Sequence, residues 1–312
     1  MSSNFFACLP PFRFALATVF VAATAAVPSA HAQPAAGKPA YAAIKLTLDG
    51  AFTGRTDFEA RGARAGDIAV AQAGAKLSVP LPPLDARWFP SVGLDYRHYE
   101  LDRSPGTPLP EELRSVGVSL SVFGALDADW KFIGSVSPRL ANAGGGFTSR
   151  GFGVGVLALA TRKLSPEFGG GIGLIYDSLA RGTGRLLPIA TFDWSPAPAW
   201  RVFLGFPRTG ASWQAAPSLL AEFVAEADFG SFYVTDDPAP RAAGRPALDR
   251  SRLEYRAVRV GPALTWNYDT ASHVRLAAGV LPVLDADYHR RGYKLKSDGV
   301  SAFGALELSW KF

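Results

Sequence analysis

From Ile44 onward, apolar and polar residues take turns along the chain, and this period of two is what most limits its fold. Ile44, Leu46, Leu48 and Phe52 share one parity, while Lys45, Thr47, Asp49 and Thr53 share the other. Successive side chains of a strand point to opposite faces, so such a run makes a strand with one apolar and one polar side. The pattern returns at Val92, Leu94 and Tyr96, which oppose Gly93, Asp95 and Arg97. It returns again at Val258, Val260, Leu264 and Trp266, which oppose Arg259, Gly261 and Thr265. Helical stripes are scarce, so the predicted fold is all-β.

Read this way, the sequence predicts fourteen strands, at 43–53, 68–81, 88–101, 114–126, 129–140, 151–162, 167–179, 186–194, 199–207, 211–227, 230–235, 252–268, 272–284 and 300–312. Short links such as 82–86, 127–128, 165–166, 195–199, 228–229 and 269–271 alternate with longer polar ones at 54–67, 102–113, 141–150, 236–251 and 285–299. The links 180–185 and 208–210 are shorter than that alternation requires. An even number of strands with alternating short and long connections describes a transmembrane antiparallel up-and-down β-barrel. Pro217 interrupts 211–227, which makes twelve strands the alternative count, and Pro262 predicts a bulge beside Gly261. A soluble sandwich also alternates, but it hides its apolar faces on a core of limited size. Here nearly every strand carries such a face.

Composition narrows the classes further. The 312 residues are 48% hydrophobic and 19% charged, with one cysteine. Beyond the first thirty residues no apolar run reaches the roughly 18 residues of a membrane helix. One cysteine excludes a disulfide framework and a thiolate metal cluster. Arg13, the apolar run 14–27 and the small-residue site Ala30-His31-Ala32 have the layout of a cleaved secretory signal over 1–32. The barrel domain is then 33–312, with a formal charge of +4 once Arg13 is removed from the +5 of the whole chain.

Six of the seven tryptophans, Trp88, Trp130, Trp194, Trp200, Trp266 and Trp310, sit beside predicted short turns with apolar-face parity, as an interfacial girdle does. The last strand, SAFGALELSWKF, alternates and ends in an aromatic. It resembles the closing strand of Gram-negative outer-membrane β-barrel proteins. That resemblance implies a bacterial outer-membrane location among lipid and lipopolysaccharide. It also implies that Leu308, Trp310 and Phe312 are read by the barrel-assembly machinery. The stretch LLPIATFDWSPAPAWRVFLGFP (186–207) resembles a hairpin of an uncharacterised outer-membrane barrel family of unknown function, which implies no catalytic residue.

The polar parity would line the lumen. It carries Lys45, Lys76, Arg97, Lys131, Arg139, Arg201, Arg259, Arg275 and Lys311 against Asp49, Asp95, Asp177, Asp193, Glu222, Glu226 and Glu307. Asp95, Arg97, Lys131, Arg201 and Arg259 lie well inside strands and are the candidate constriction residues. The expected function is porin-like passive diffusion of small hydrophilic solutes. A non-conducting structural, adhesive or receptor barrel is the alternative. A lipid-modifying enzyme is the third reading, and its only candidate site is His98 with Glu100 and Ser104 nearby. No GxSxG elbow, zinc spacing or cofactor motif occurs, so no catalytic, metal or cofactor residue is expected. Nucleic-acid binding has no support. The basic, aromatic loop 285–299, with Arg290, Arg291, Lys294 and Lys296, could meet lipopolysaccharide phosphates or simply be solvated. The proline-rich link 236–251 is expected to be mobile outside or folded inward.

Overall fold

The structure is a computed structural model and describes residues 43–239, 245–270 and 272–312; the signal reading at 1–32, with Ala30 and Ala32, lies outside them. Among the described residues are fifteen strands. They are β1 (Lys45–Ala60), β2 (Ala63–Pro80), β3 (Trp88–Arg103), β4 (Glu112–Ala125), β5 (Trp130–Ala143), β6 (Phe152–Lys163), β7 (Phe168–Asp177) and β8 (Leu186–Ala197). They continue as β9 (Trp200–Leu204), β10 (Arg208–Ala216), β11 (Leu219–Val234), β12 (Ser251–Asn267), β13 (His273–Tyr288), β14 (Tyr293–Asp298) and β15 (Ser301–Lys311). Each pairs antiparallel with its sequence neighbour from β1 to β13. β14 and β15 both lie between β13 and β1, one above the other, as two halves of one broken strand. The ring therefore closes with fourteen staves, as the alternation predicts.

The outward parity carries Leu48, Leu94, Val118, Leu120, Val136, Ile172, Phe223, Leu264 and Leu276, all exposed. An apolar outer band of this kind belongs to a membrane-spanning barrel. Trp213 joins the other six tryptophans at the short-turn end, where it stacks on Trp200 at 6.1 Å, and Phe168 stacks on Trp194 at 6.0 Å.

Three local expectations change. Residues 211–227 and 230–235 are not separate strands: the turn falls at 217–218, and β11 runs unbroken through Asp228 and Phe229. Pro217 thus ends a strand, and the count of fourteen survives because the extra short strand merges into β11. The links 54–67 and 285–299 are mostly strand. β1 and β2 continue outward to a two-residue turn at Arg61-Gly62, whose φ angles of 54° and 77° suit a type I′ hairpin. The bulge expected at Gly261 lies instead across the ladder: the register of β12 on β13 shifts between Val258 and Val260, opposite Leu281-Pro282. There proline removes a donor that the ladder does not need. Gly261 is required for another reason, since a Cβ on it would stand 2.1 Å from the Ala278 carbonyl oxygen of β13.

One further pairing shapes the interior. At the long-loop end, Tyr233 and Val234 of β11 pair with Asn142 and Ala143 of β5, and this pairing is parallel. It draws β1–β5 and β11–β14 into a smaller ring of nine strands, leaving β6–β10 outside it. An up-and-down ring with an odd number of strands must place one pair of like direction side by side, and β5 with β11 is that pair. About eight strands enclose just enough room for side chains. The nine-strand ring is accordingly filled by Phe58, Ile68, Tyr99, Leu101, Leu113, Phe232, Leu253, Tyr255, Leu284 and Leu295, all buried. The links add Leu109 and Leu248 to this core, so the link between β11 and β12 turns inward at Leu248. Each fully buried large apolar side chain contributes about 1.5–3 kcal/mol, which makes the narrow half the rigid end of the barrel.

Candidate functional site: a polar half-lumen and a side cleft

The polar parity points into the wide, fourteen-strand half. Just beneath the apolar core, Asp228 of β11 accepts from Arg97 Nη1 at 2.9 Å and lies within 3.2 Å of the Tyr99 hydroxyl and 3.5 Å of the Arg259 guanidinium. Arg259 also donates to the Gln72 side chain. Two pairs of neighbouring strands, β2–β3 and β11–β12, are thus tied across the lumen at one level. Closer to the short-turn end, Glu222 and Glu226 of β11 bind Arg208 of β10 at 3.0 and 3.3 Å and Arg275 of β13 at 3.2 and 3.5 Å. Arg139 meets Asp177 at 2.7 Å, and Arg201 meets Asp193 through its Nε at 2.7 Å.

Of the five constriction candidates, the structure brings Arg97 and Arg259 together on Asp228. Arg201 stands on another wall with Lys131, where both line a 910 Å³ cavity that reaches the short-turn mouth. Asp95, one level below Arg97 on β3, faces Lys76 in register. Asp228 and Arg208 are absent from the sequence-based set, since Asp228-Phe229 reads as a turn and 208–210 as a link. The shared parity of Glu222, Glu226 and Asp228 was the available signal.

The apolar core closes the axis above Asp228, and a second opening runs beside it. A 510 Å³ cleft starts at Arg97, Asp228, Ser135 and Ser137 inside the barrel. It continues past Leu157, Ile175 and Leu187 to Phe206, Pro207, Phe229 and Arg256. Arg97, Ser137 and Asp228 have lumen parity, whereas Phe229 and Arg256 have outward parity, so the cleft passes from inside to outside under the β5–β11 pairing. The wall is low at this place. β9 has five residues, which reach about 17 Å against an apolar band of about 25 Å. Phe206 in the β9–β10 link stacks on Phe229 at 5.4 Å and borders both cavities. Arg256, whose outward parity is unusual for a lipid-facing strand, is held by Glu254 at 2.7 Å.

His98 lies in a separate 450 Å³ pocket with Glu100, Glu111, Glu112 and Arg114. No hydroxyl or thiol lines that pocket. Ser104 is instead engaged 2.9 Å from the Thr107 hydroxyl and by the Asp67 backbone N–H at 3.0 Å. Leu308 and Trp310 lie on the outward parity of β15, and the Phe312 N–H donates to the Ile44 carbonyl at 2.9 Å.

These features define a closed antiparallel barrel with a polar, wide half and an apolar, filled half. The chain belongs to a family described as a domain of unknown function (DUF6268), whose model matches residues 84–297, more than half its length. No curated protein matches the sequence. Among solved structures, it is similar to an outer-membrane channel from Pseudomonas putida F1, with a TM-score of 0.49 and 8% identity over 90% of this chain and 100% of that one. It is also similar to a Pseudomonas aeruginosa FadL homologue, with a TM-score of 0.45 and 10% identity over 86% and 90% of the two chains. The NanC porin gives a TM-score of 0.39 and 12% identity over 86% and 100%.

Proposed function

We propose that this protein is a bacterial outer-membrane channel. In this reading it is exported by the 1–32 signal and assembled through the Leu308, Trp310 and Phe312 strand. Small hydrophilic solutes enter the wide half past Lys131, Arg201 and Asp193. They pass between the wide half and the long-loop side through the cleft between β6–β8 and β11, which reaches Ala180, Gly184 and Glu254 beside the β7–β8 link, because the narrow half is filled. The 510 Å³ cleft, lined by residues of both parities, carries this reading. The paired carboxylates and guanidinium groups along the way would favour solutes able to exchange hydrogen bonds with fixed ion pairs.

The test is conductance and solute uptake with the cleft blocked. A Cβ on Gly155 would make only ordinary contacts, at 3.8 Å and beyond, so a side chain can begin there, and Gly155→Trp places an indole in the cleft. The expected outcome is a several-fold fall in conductance with unchanged heat-modifiable gel mobility. Conductance equal to that of the unaltered protein would refute the side route. The core of the narrow half also favours a second reading, a barrel that does not conduct at all, and the absence of channel events from the unaltered protein would select it.

A further inference from the structure

The long-loop end carries a cluster of cations that the permeation path does not use. Arg150 in the β5–β6 link, Arg181 in the β7–β8 link, Arg250 and Arg252 at the start of β12, and Arg290 after β13 surround a 270 Å³ cavity with Tyr233 and Ser251. Four segments separated in sequence therefore converge on one place. The lining contains no carboxylate, and none of the five guanidinium groups enters an ion pair among the described residues. The contacts they do make are to neutral groups. Arg150 Nη1 donates to the Tyr233 hydroxyl at 3.3 Å, and Arg252 Nη1 donates to the Ser178 carbonyl at 2.9 Å. The buried Arg181 Nε has no partner. The neighbouring acids are already engaged: Glu254 accepts from the Arg181 backbone N–H at 2.6 Å and from Arg256 at 2.7 Å and lies 2.9 Å from His289 Nε2, and Asp177 accepts from Arg139 at 2.7 Å.

The surrounding basic residues behave differently. Lys294 pairs with Asp285 at 2.7 Å, and Arg291 donates to the Asp249 carbonyl at 2.7 Å. Only Arg290 of the 285–299 basic run turns to the cavity. Five like charges gathered without an acid repel one another, and the arrangement is favourable only when an anion joins it. Planar guanidinium forks match oxyanions with paired hydrogen bonds. A monocarboxylate would neutralise one charge of five, whereas two phosphoryl groups bring about −3 to −4.

We infer that this cavity binds a polyanion through phosphoryl groups, independently of whether the barrel conducts. The phosphates could belong to a soluble oligophosphate or to the headgroup of a phosphorylated lipid in the outer leaflet, and two titrations separate these sources. Detergent-solubilised protein is titrated with sodium tripolyphosphate and, separately, with micelles containing bisphosphorylated lipid A. Saturable, salt-sensitive binding in either arm is expected, and the arm that saturates names the source. Arg150→Gln with Arg290→Gln, both exposed link positions, should weaken that binding about tenfold or more per guanidinium, with gel mobility retained. Arg250→Gln, on a separate exposed turn, supplies an independent variant with the same expected direction. No binding in either arm would overturn the inference, as would binding that these variants leave unchanged.

Discussion

Replacing Asp228 with asparagine should destabilise the barrel far more than a polar-to-polar change on a lumen wall ordinarily does. The carboxylate is 9% exposed and shared by Arg97, 39% exposed, and Arg259, 13% exposed. At an effective dielectric of about 20, a charge contact at 2.9 Å is worth roughly 6 kcal/mol before desolvation is subtracted. Removing one partner of a buried pair costs about 3–5 kcal/mol, because the remaining charge is left uncompensated. Arg97 reaches solvent and loses little, while Arg259 is enclosed and carries most of the penalty. Asparagine keeps an acceptor, so the expected loss is at the lower end, about 3 kcal/mol. Urea titration of the folded fraction, read by heat-modifiable gel mobility, measures it. Arg259→Gln added to Asp228→Asn should recover about 1–2 kcal/mol, since it removes the orphaned cation. The reasoning is refuted if Asp228→Asn lies within about 0.5 kcal/mol of the unaltered protein, or if the double variant is no more stable than the single one.

Two further outcomes probe the narrow half. Leu253→Ala, at a side chain with no exposed area in the core of the nine-strand ring, should cost about 2–5 kcal/mol in the same urea titration. It should leave conductance unchanged, because the axis stays closed by its neighbours. Asp237 sets a pH dependence for the inturned link. Burial pushes its carboxyl up, but the bonds from Arg245 and the Leu248 N–H outweigh burial and hold it below the usual range. A depressed carboxyl stabilises above its unfolded pKa and loses that contribution as pH falls through the folded one. Hydrogen-exchange protection of residues 245–250 should therefore hold from neutral pH down to about 4 and fall only below it; loss already near pH 6 would contradict the assignment.

Period two told which side chains face in and which face out, and that was enough for the closed ring, the outer band and most lumen charges. What it could not tell is where the ring narrows. Tyr99 and Leu101 on β3, and Leu253 and Tyr255 on β12, are apolar residues on the lumen parity near the long-loop end. The two faces exchange polarity there, with His98, Glu100 and Asp102 on β3 and Arg252, Glu254 and Arg256 on β12 taking the outward parity, which is the local trace of a filled interior, yet it specifies no partner. The parallel contact of Val234 with Ala143 depends on closure of the whole sheet. Asp228 was hidden by its neighbours, since Asp-Phe-Gly has the composition of a turn, and only continued pairing with β12 keeps it in a strand. Trp213 was masked by a displaced turn: with the link at 217–218 it falls near the short-turn end beside Trp200, rather than at the start of a strand after the 208–210 link.

The like-directed contact of β5 and β11 also bears on how such barrels can vary. Parallel neighbours need a crossover between them, usually a helix; here the crossover is the run from residue 144 to residue 218, five strands laid out as wall. Adding or deleting one hairpin in that excursion would change the circumference of the wide end by two strands. The nine-strand ring, its core and its direction rule would be untouched. The girth of the wide end and the closed end are therefore separately adjustable parts of one sheet.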